Sequence, residues 1–183
     1  MAGWLRWTLP PAAVVMSVAQ PQPVFAVQYL SLAEAQHLAF PGAGGFAEAN
    51  VIYRPDQIAA IEKKSGQKVL AKGEQVWRAQ AGDRFLGWFI LDYVIGKHLV
   101  IDYAVALDPD GKVRRVEILQ YRESYGYEVA NDDWLKQFVG KTEADPLEID
   151  KDIRNISGAT LSSRHVTEGV KRVLAFYDVC LKR

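Results

Sequence analysis

Apolar and polar side chains alternate most regularly between residues 99 and 107. Leu99, Ile101, Tyr103, Val105 and Leu107 share one face there, with Asp102 on the other. A two-residue period marks a β-strand with one buried face. Just upstream, RFLGWFILDYV (84–94) is dense in aromatic and branched residues and hardly alternates, which predicts a mostly buried strand. The β pattern starts near Glu74. Asp108-Pro109-Asp110-Gly111 is a turn signal, since proline presets one dihedral and glycine permits positive φ. Lys112–Tyr121 then returns as the second strand of a hairpin.

Helical patterns flank this block. Ser31-Leu32-Ala33-Glu34 matches a capping box, so a short helix should follow and end before Phe40-Pro41 and the Gly42–Gly45 loop. A second helix is expected from Pro55-Asp56 to Ser65-Gly66. A third should begin at Asn131 or Asp132, either of which can cap it, and end near Gly140. The last runs from about Leu161 to Leu181, where Val166, Val170, Val173, Leu174, Tyr177 and Leu181 follow the 3.6-residue period. Strands in the middle and helices at the ends predict an α+β fold. It would be a single domain with a central antiparallel β-sheet, flanking helices and a C-terminal amphipathic helix.

The N-terminal stretch 1–26 has a different character. One positive charge, Arg6, precedes an apolar run from about Leu9 to Ala19 and a proline-rich spacer. That run is shorter than the roughly 20 residues that cross a bilayer. Val24 and Ala26 put small residues where a signal peptidase reads, so the segment reads as an export signal cleaved after Ala26, with an uncleaved anchor as the competing reading. The remaining chain divides into an N-terminal helical and extended segment, 27–80, and a principal domain, 81–183.

Composition narrows the function mainly by exclusion. The chain has 183 residues, of which 22 are Lys or Arg and 22 Asp or Glu, giving zero formal net charge. No broad basic field exists for nucleic acid. A single cysteine, Cys180, excludes an internal disulfide, a CxxC pair and a thiolate zinc site, and its helical position suits a small buried hydrophobe. His37, His98 and His165 lack metal-ligand spacing, and Gly42–Gly45 lacks the lysine of a phosphate-binding loop. Trp77, Trp88 and Trp134 are expected in the core. The acidic stretch Glu143–Asp152 reads as a solvated loop that could dock a basic electron partner.

Candidate chemistry concentrates at Asn155-Ile156-Ser157-Gly158-Ala159-Thr160-Leu161-Ser162-Ser163, at the start of the last helix. A helix N-terminus presents unpaired backbone N–H groups and a partial positive charge, so it favours a phosphate. Gly158 and Ala159 would let a bulky ligand approach the backbone. Thr160 sits where its oxygen either caps the helix or is esterified; ordinary capping explains the same residues.

Ser157-Gly158-Ala159-Thr160, followed by Leu161-Ser162-Ser163 and an amphipathic helix, resembles the flavinylation motif of the FMN-binding domain family. That family includes the extracytoplasmic flavin subunits of sodium-pumping NADH:quinone reductase and of the Rnf complexes. A second block resembles the family's glutamate, glycine-turn and helix segment: Glu123-Ser124-Tyr125-Gly126-Tyr127, then Trp134-Leu135-Lys136-Gln137-Phe138 and Gly140-Lys141. Together the likeness covers roughly 85–178.

The resemblance implies FMN held on Thr160 through a phosphoester, installed by a flavin transferase that takes it from FAD. It makes Ser157, Gly158, Ala159 and Leu161 the attachment loop, Ser162 and Ser163 phosphate donors, and Glu123, Tyr125 and Gly126 the ring site. It also implies an electron carrier at the outer face of the inner membrane. The partner would be a membrane electron-transport complex or a soluble redox carrier. Where the family has an aspartate six residues before the threonine, this chain has Arg154, which either weakens recognition by the transferase or pairs with the phosphate; Asp152, two residues earlier, would substitute only if the loop shifts. His165, about a turn beyond Thr160, is a further group within reach of a phosphate. The rival reading is a sensor or scaffold domain that binds FMN non-covalently or not at all. A flavin reductase would need a nicotinamide signature, which the sequence lacks, so a carrier is expected rather than a stand-alone enzyme.

Overall fold

The computed structural model describes residues 26–182, so the proposed export signal lies almost wholly outside the described residues. Four long strands form the centre: β4 (Gly73–Ala81), β5 (Arg84–Ile95), β6 (Val100–Leu107) and β7 (Val113–Tyr121). Each pairs antiparallel with the next, as short connections favour. Shorter strands extend both edges: β1 (Val27–Gln28) joins β7, while β2 (Gly45–Glu48) and β3 (Val51–Ile52) join β4. The order is β1-β7-β6-β5-β4-β2 in one antiparallel sheet. β4, whose last residues straddle position 80, pairs with β5 from end to end, so the N-terminal segment belongs to the same sheet. The α+β expectation holds.

Helices α1 (Leu32–Ala39) and α2 (Pro55–Ser65) start and stop where the punctuation predicts. The Ser31–Glu34 capping box forms, and Gly66 closes α2 in the left-handed region at φ 70°. Asn131 caps the short α3 (Asp132–Leu135), its side chain accepting the Asp133 and Trp134 amides, and a 3₁₀ turn continues to Phe138. α4 (Thr160–Phe176) is the long C-terminal helix. Its last turn, Tyr177–Leu181, widens into a π-turn rather than continuing as α-helix, and it leaves Cys180 only half-buried against the core. Tyr177 closes over the Asp108–Gly111 turn: its hydroxyl donates to the Pro109 carbonyl at 3.2 Å, and a Cβ at Gly111 would strike its ring.

Both faces of the sheet are covered. On one, Val76, Ile90, Ile101, Tyr103, Val105 and Ile118 pack under α4 and α2. On the other, Trp77, Phe89, Ala104, Ala106 and Leu119 pack beneath α1 and Phe40. The alternation at 99–107 shows only the first face, because the second is built from alanines small enough to admit Phe40. Double coverage explains why 84–94 scarcely alternates. Gly87 is required at the crossing, since a Cβ there would lie 2.1 Å from the Leu107 carbonyl oxygen.

Two expectations change. Trp88 is only partly buried, and its ring stacks under the Arg78 guanidinium at 5.5 Å. The 143–152 stretch is anchored rather than freely solvated: Leu147 is buried, Asp145 accepts the Thr142 amide, and Asp152 pairs with Lys141 at 2.8 Å.

Candidate functional site

The first turn of α4 carries no side-chain cap: Ala159 is the N-cap, and Thr160 is the first helical residue, its side chain exposed. The leading amides of the helix therefore lack a side-chain acceptor. Of the two readings of Thr160, capping is not the one realised. Gly158 reaches φ 87°, and a Cβ there would meet nothing within 4 Å, so within the chain it is the backbone conformation, not a neighbouring atom, that favours glycine. Ser157, Gly158, Thr160 and Leu161 face outward; Ala159, Ser162 and Ser163 are buried.

The buried serines have local tasks. Ser163 Oγ donates between Asn155 Oδ1 at 3.0 Å and the Thr160 carbonyl at 3.1 Å, while Asn155 Oδ1 also accepts the Ile156 amide. Ser163 thereby pins the loop to the helix, its hydroxyl held by Asn155 and by the backbone carbonyl of Thr160. Ser162 reaches the second sequence block. The Tyr121 hydroxyl donates to the Tyr125 carbonyl and accepts from Ser162 Oγ at 2.9 Å. Gly126, at φ 91°, lies against this pair, and a Cβ there would stand 2.6 Å from both oxygens. The blocks 123–127 and 157–163 thus converge on one end of α4. Tyr121 is the junction, and its position as the last residue of β7 was its only signal in the sequence.

Glu123 has a structural task in the turn beside the site. Its Oε1 accepts the amides of His98 and Leu99, the latter at 2.8 Å, and lies 2.8 Å from where a Gly96 Cβ would be. Burial pushes its carboxyl up, but these two N–H donors outweigh it and hold the group below the ordinary value. Glu123 therefore clamps the β5–β6 turn beside the site. Tyr125 is 83% exposed.

Behind the attachment loop, Trp134 Nε1 donates to the Arg154 carbonyl at 2.7 Å, and Gln137 Oε1 accepts both the amide and Nε of Arg154. The Trp134–Phe138 segment thus braces the backbone that leads into the loop. Asp152 does not stand in for an acid at position 154. Its carboxylate accepts the Leu147 and Glu148 amides and pairs with Lys141, and these contacts keep it ionised against burial.

Further along α4, His165, Glu168 and Arg172 form one wall of a cleft of about 260 Å³, completed by Gly66, Gln67, Lys68, Leu70, Val94 and Ile95. His165 Nδ1 itself is closed to solvent and has no hydrogen-bond partner among the described residues. Below it, Arg172 pairs with Asp92 at 2.8 Å and donates to the Tyr93 and Lys68 carbonyls. Tyr103 donates to Asp92, and Tyr53 donates to Glu74 at 2.6 Å. Among the described residues no helix is long and apolar enough to cross a membrane, and no group of three or more His, Cys, Asp or Glu is placed to hold a metal ion.

Comparison with known proteins bears on this region. The chain is 28% identical over 137 residues to a component of the proton-translocating ferredoxin:NAD(+) oxidoreductase complex of Clostridium ljungdahlii, covering 70% of this chain and 74% of that protein. It is 34% identical over 83 residues to a component of the ion-translocating oxidoreductase complex of Stutzerimonas stutzeri, covering 39% of this chain and 36% of that one. The crystal structure of Shewanella oneidensis NqrC matches over 84% of this chain and 79% of its own, with a TM-score of 0.49 at 15% identity. Residues 96–175 match the family model of the FMN-binding domain, from the β5–β6 turn held by Glu123 to the end of α4. This segment, which contains both converging loops and Thr160, is where the chain is similar to the FMN-binding domain family.

Proposed function

We propose that this protein is an electron-transfer flavoprotein that carries FMN as a phosphoester on Thr160 Oγ. It would serve as an exported component of a membrane-bound ion-translocating oxidoreductase. The observation that carries the reading is the exposed, uncapped Thr160, set at a helix N-terminus by the left-handed Gly158 within the matched segment. The relatives named as components of such complexes support the partner class.

Attachment balances as a transfer from FAD. The Thr160 Oγ–P bond forms, the FAD pyrophosphate bond breaks with loss of AMP, and the hydroxyl proton passes to solvent. A separate flavin transferase carries out this step. Once attached, FMN supplies one- and two-electron redox chemistry. The chain's own residues would hold and orient it: the amides of the first turn would take the phosphate, while Ser163 and Asn155, with Gln137 on Arg154, keep the loop in place. A tether suits a compartment outside the cytoplasm, where lost FMN is not readily replaced.

Expression in a host with an active transferase should add the mass of one FMN less one water to the peptide holding Thr160. Thr160→Ala should abolish that addition and the flavin retained after denaturing precipitation. Because Thr160 is exposed and caps nothing, stability should change by no more than about 0.5 kcal/mol. Covalent flavin in the variant would overturn the assignment; flavin released to the supernatant from the parent would favour the non-covalent sensor or scaffold. The N-terminal mass of exported protein tests cleavage after Ala26.

A further inference from the structure

We infer that the cleft between the β4–β5 hairpin and the C-terminal π-turn binds a small aromatic carboxylate, with Arg78 taking its charge. Arg78, Phe85, Trp88, Pro109, Tyr177 and Leu181 line a space of about 250 Å³ there. The site is remote from the proposed flavin attachment. Tyr177 follows the last residue of the 17-residue α4, whose first is Thr160, so about 25 Å of helix separates the two. Of the six lining residues only Pro109 falls within the matched segment 96–175, so the cleft is this chain's own feature.

A β-bulge assembles the cleft. Strands β4 and β5 lose register beside Gln80: Ala79 pairs with Gly87 and Gln80 with Phe85, which leaves Leu86 unmatched. In an unbroken strand Phe85 and Trp88, three positions apart, would point to opposite faces. The extra residue brings both to the side of Arg78, whose guanidinium carbon lies 4.9 Å from the Phe85 ring centre and 5.5 Å from that of Trp88. The two rings meet edge to face at 5.1 Å and fix the planar fork before any ligand arrives. That fork lacks an anion. Arg78 forms no ion pair among the described residues, and its Nε is closed to solvent without a partner. A ligand would therefore reach the two Nη groups, which can take both oxygens of one carboxylate. The acids that flank Pro109 and Tyr177 are already engaged: Asp108 with Arg114, Asp110 with Lys112, and Asp178 with Lys64 and Lys182. A cation without an acid calls for an anionic ligand, and Phe85, Trp88, Tyr177 and Leu181 call for an apolar, flat body on it. Tyr177 is itself held in place by its hydroxyl on the Pro109 carbonyl.

The test titrates benzoate into the full chain and follows the Trp88 indole and Phe85 amide signals in ¹H–¹⁵N spectra. Benzoate should move both saturably. Benzamide, which keeps the ring without the charge, and acetate, which keeps the charge without the ring, should each bind at least about tenfold more weakly. Arg78→Gln should abolish saturable binding, while Arg78→Lys, which keeps the charge without the flat fork, should retain only part of it. Leu181→Glu leaves Arg78 intact but adds a carboxylate to the lining, so it should weaken benzoate as a second, independent variant; the dispersion of the same spectra verifies the fold of each. Benzamide binding as tightly as benzoate would overturn the anion assignment. Acetate doing so would mean that any carboxylate is taken, a protein side chain included, and would overturn the aromatic one. Shifts that never saturate, or saturate equally in Arg78→Gln, would overturn the site. Chains with and without FMN on Thr160 should titrate alike, so a failure of flavinylation leaves this result standing.

Discussion

At Gly126 a single hydrogen atom joins the two halves of the site. The position combines φ 91° with contacts of 2.6 Å to Ser162 Oγ and Tyr121 Oη for any added Cβ. Left-handed backbone costs an L-residue roughly 1–2 kcal/mol, and forced overpacking about 1–3 kcal/mol more. Gly126→Ala should therefore destabilise the fold by about 2–5 kcal/mol in urea titration. It should also lower the fraction of chains flavinylated, because it pushes the first turn of α4 off Tyr121. A variant with parent stability and full modification would show that the two loops are not mechanically joined. Gly158 offers the contrast: it has the same backbone sign but open space, so its replacement carries only the conformational cost.

Among the elements, α4 presents the attachment threonine, and its orientation on the sheet is fixed by one buried ion pair. Arg172 and Asp92 are both nearly inaccessible, and the guanidinium further holds carbonyls from β5 and from the α2–β4 connection. Removing one member of a buried pair leaves the other charge uncompensated, at a cost of about 3–5 kcal/mol. Arg172→Met should lose that much in chemical denaturation, while Arg172→Met combined with Asp92→Leu should recover a substantial part of it. Equal losses in the single and double variants would mean that the arginine acts through its carbonyl contacts rather than the pair. The periodicity of α4 placed its apolar stripe correctly, yet gave no hint that an arginine belonged beneath it, because its acid lies 80 residues earlier in the chain.

For the molecule as a whole, the same network makes stability depend on pH. One guanidinium faces two buried carboxyls. Burial and the neighbouring Asp92 charge push Glu74 up to about 8, against the attraction of Arg172. The folded protein therefore keeps a proton that the unfolded chain releases at ordinary carboxylate pH. The stability contributed by Glu74 is full below about pH 4.5, declines by at most about 1.4 kcal/mol per pH unit, and is gone above about pH 8. Glu74→Gln, which can still accept from Tyr53, should flatten this decline and make the variant the more stable form at pH 9. Urea midpoints measured from pH 5 to 9 check it; parallel curves for parent and variant would rule Glu74 out as the source.

The division between sequence and fold follows from the range of the forces involved. Strand alternation, the capping box at Ser31, the Asp108–Gly111 turn and the 157–163 loop were readable because each arises between residues a few positions apart. The Ala104 and Ala106 face was not readable, since an alanine shows its burial only when Phe40 is seen to cover it. The sequence by itself determined an α+β chain with a threonine motif opening its last helix; the exposure of that threonine came from the fold. Only the tertiary structure decided that Ser162 faces Tyr121, that Glu123 clamps a turn, and that His165 lines a cleft with no partner among the described residues. Those relations depend on which side chains long-range packing brings together, and local pattern carries no record of that.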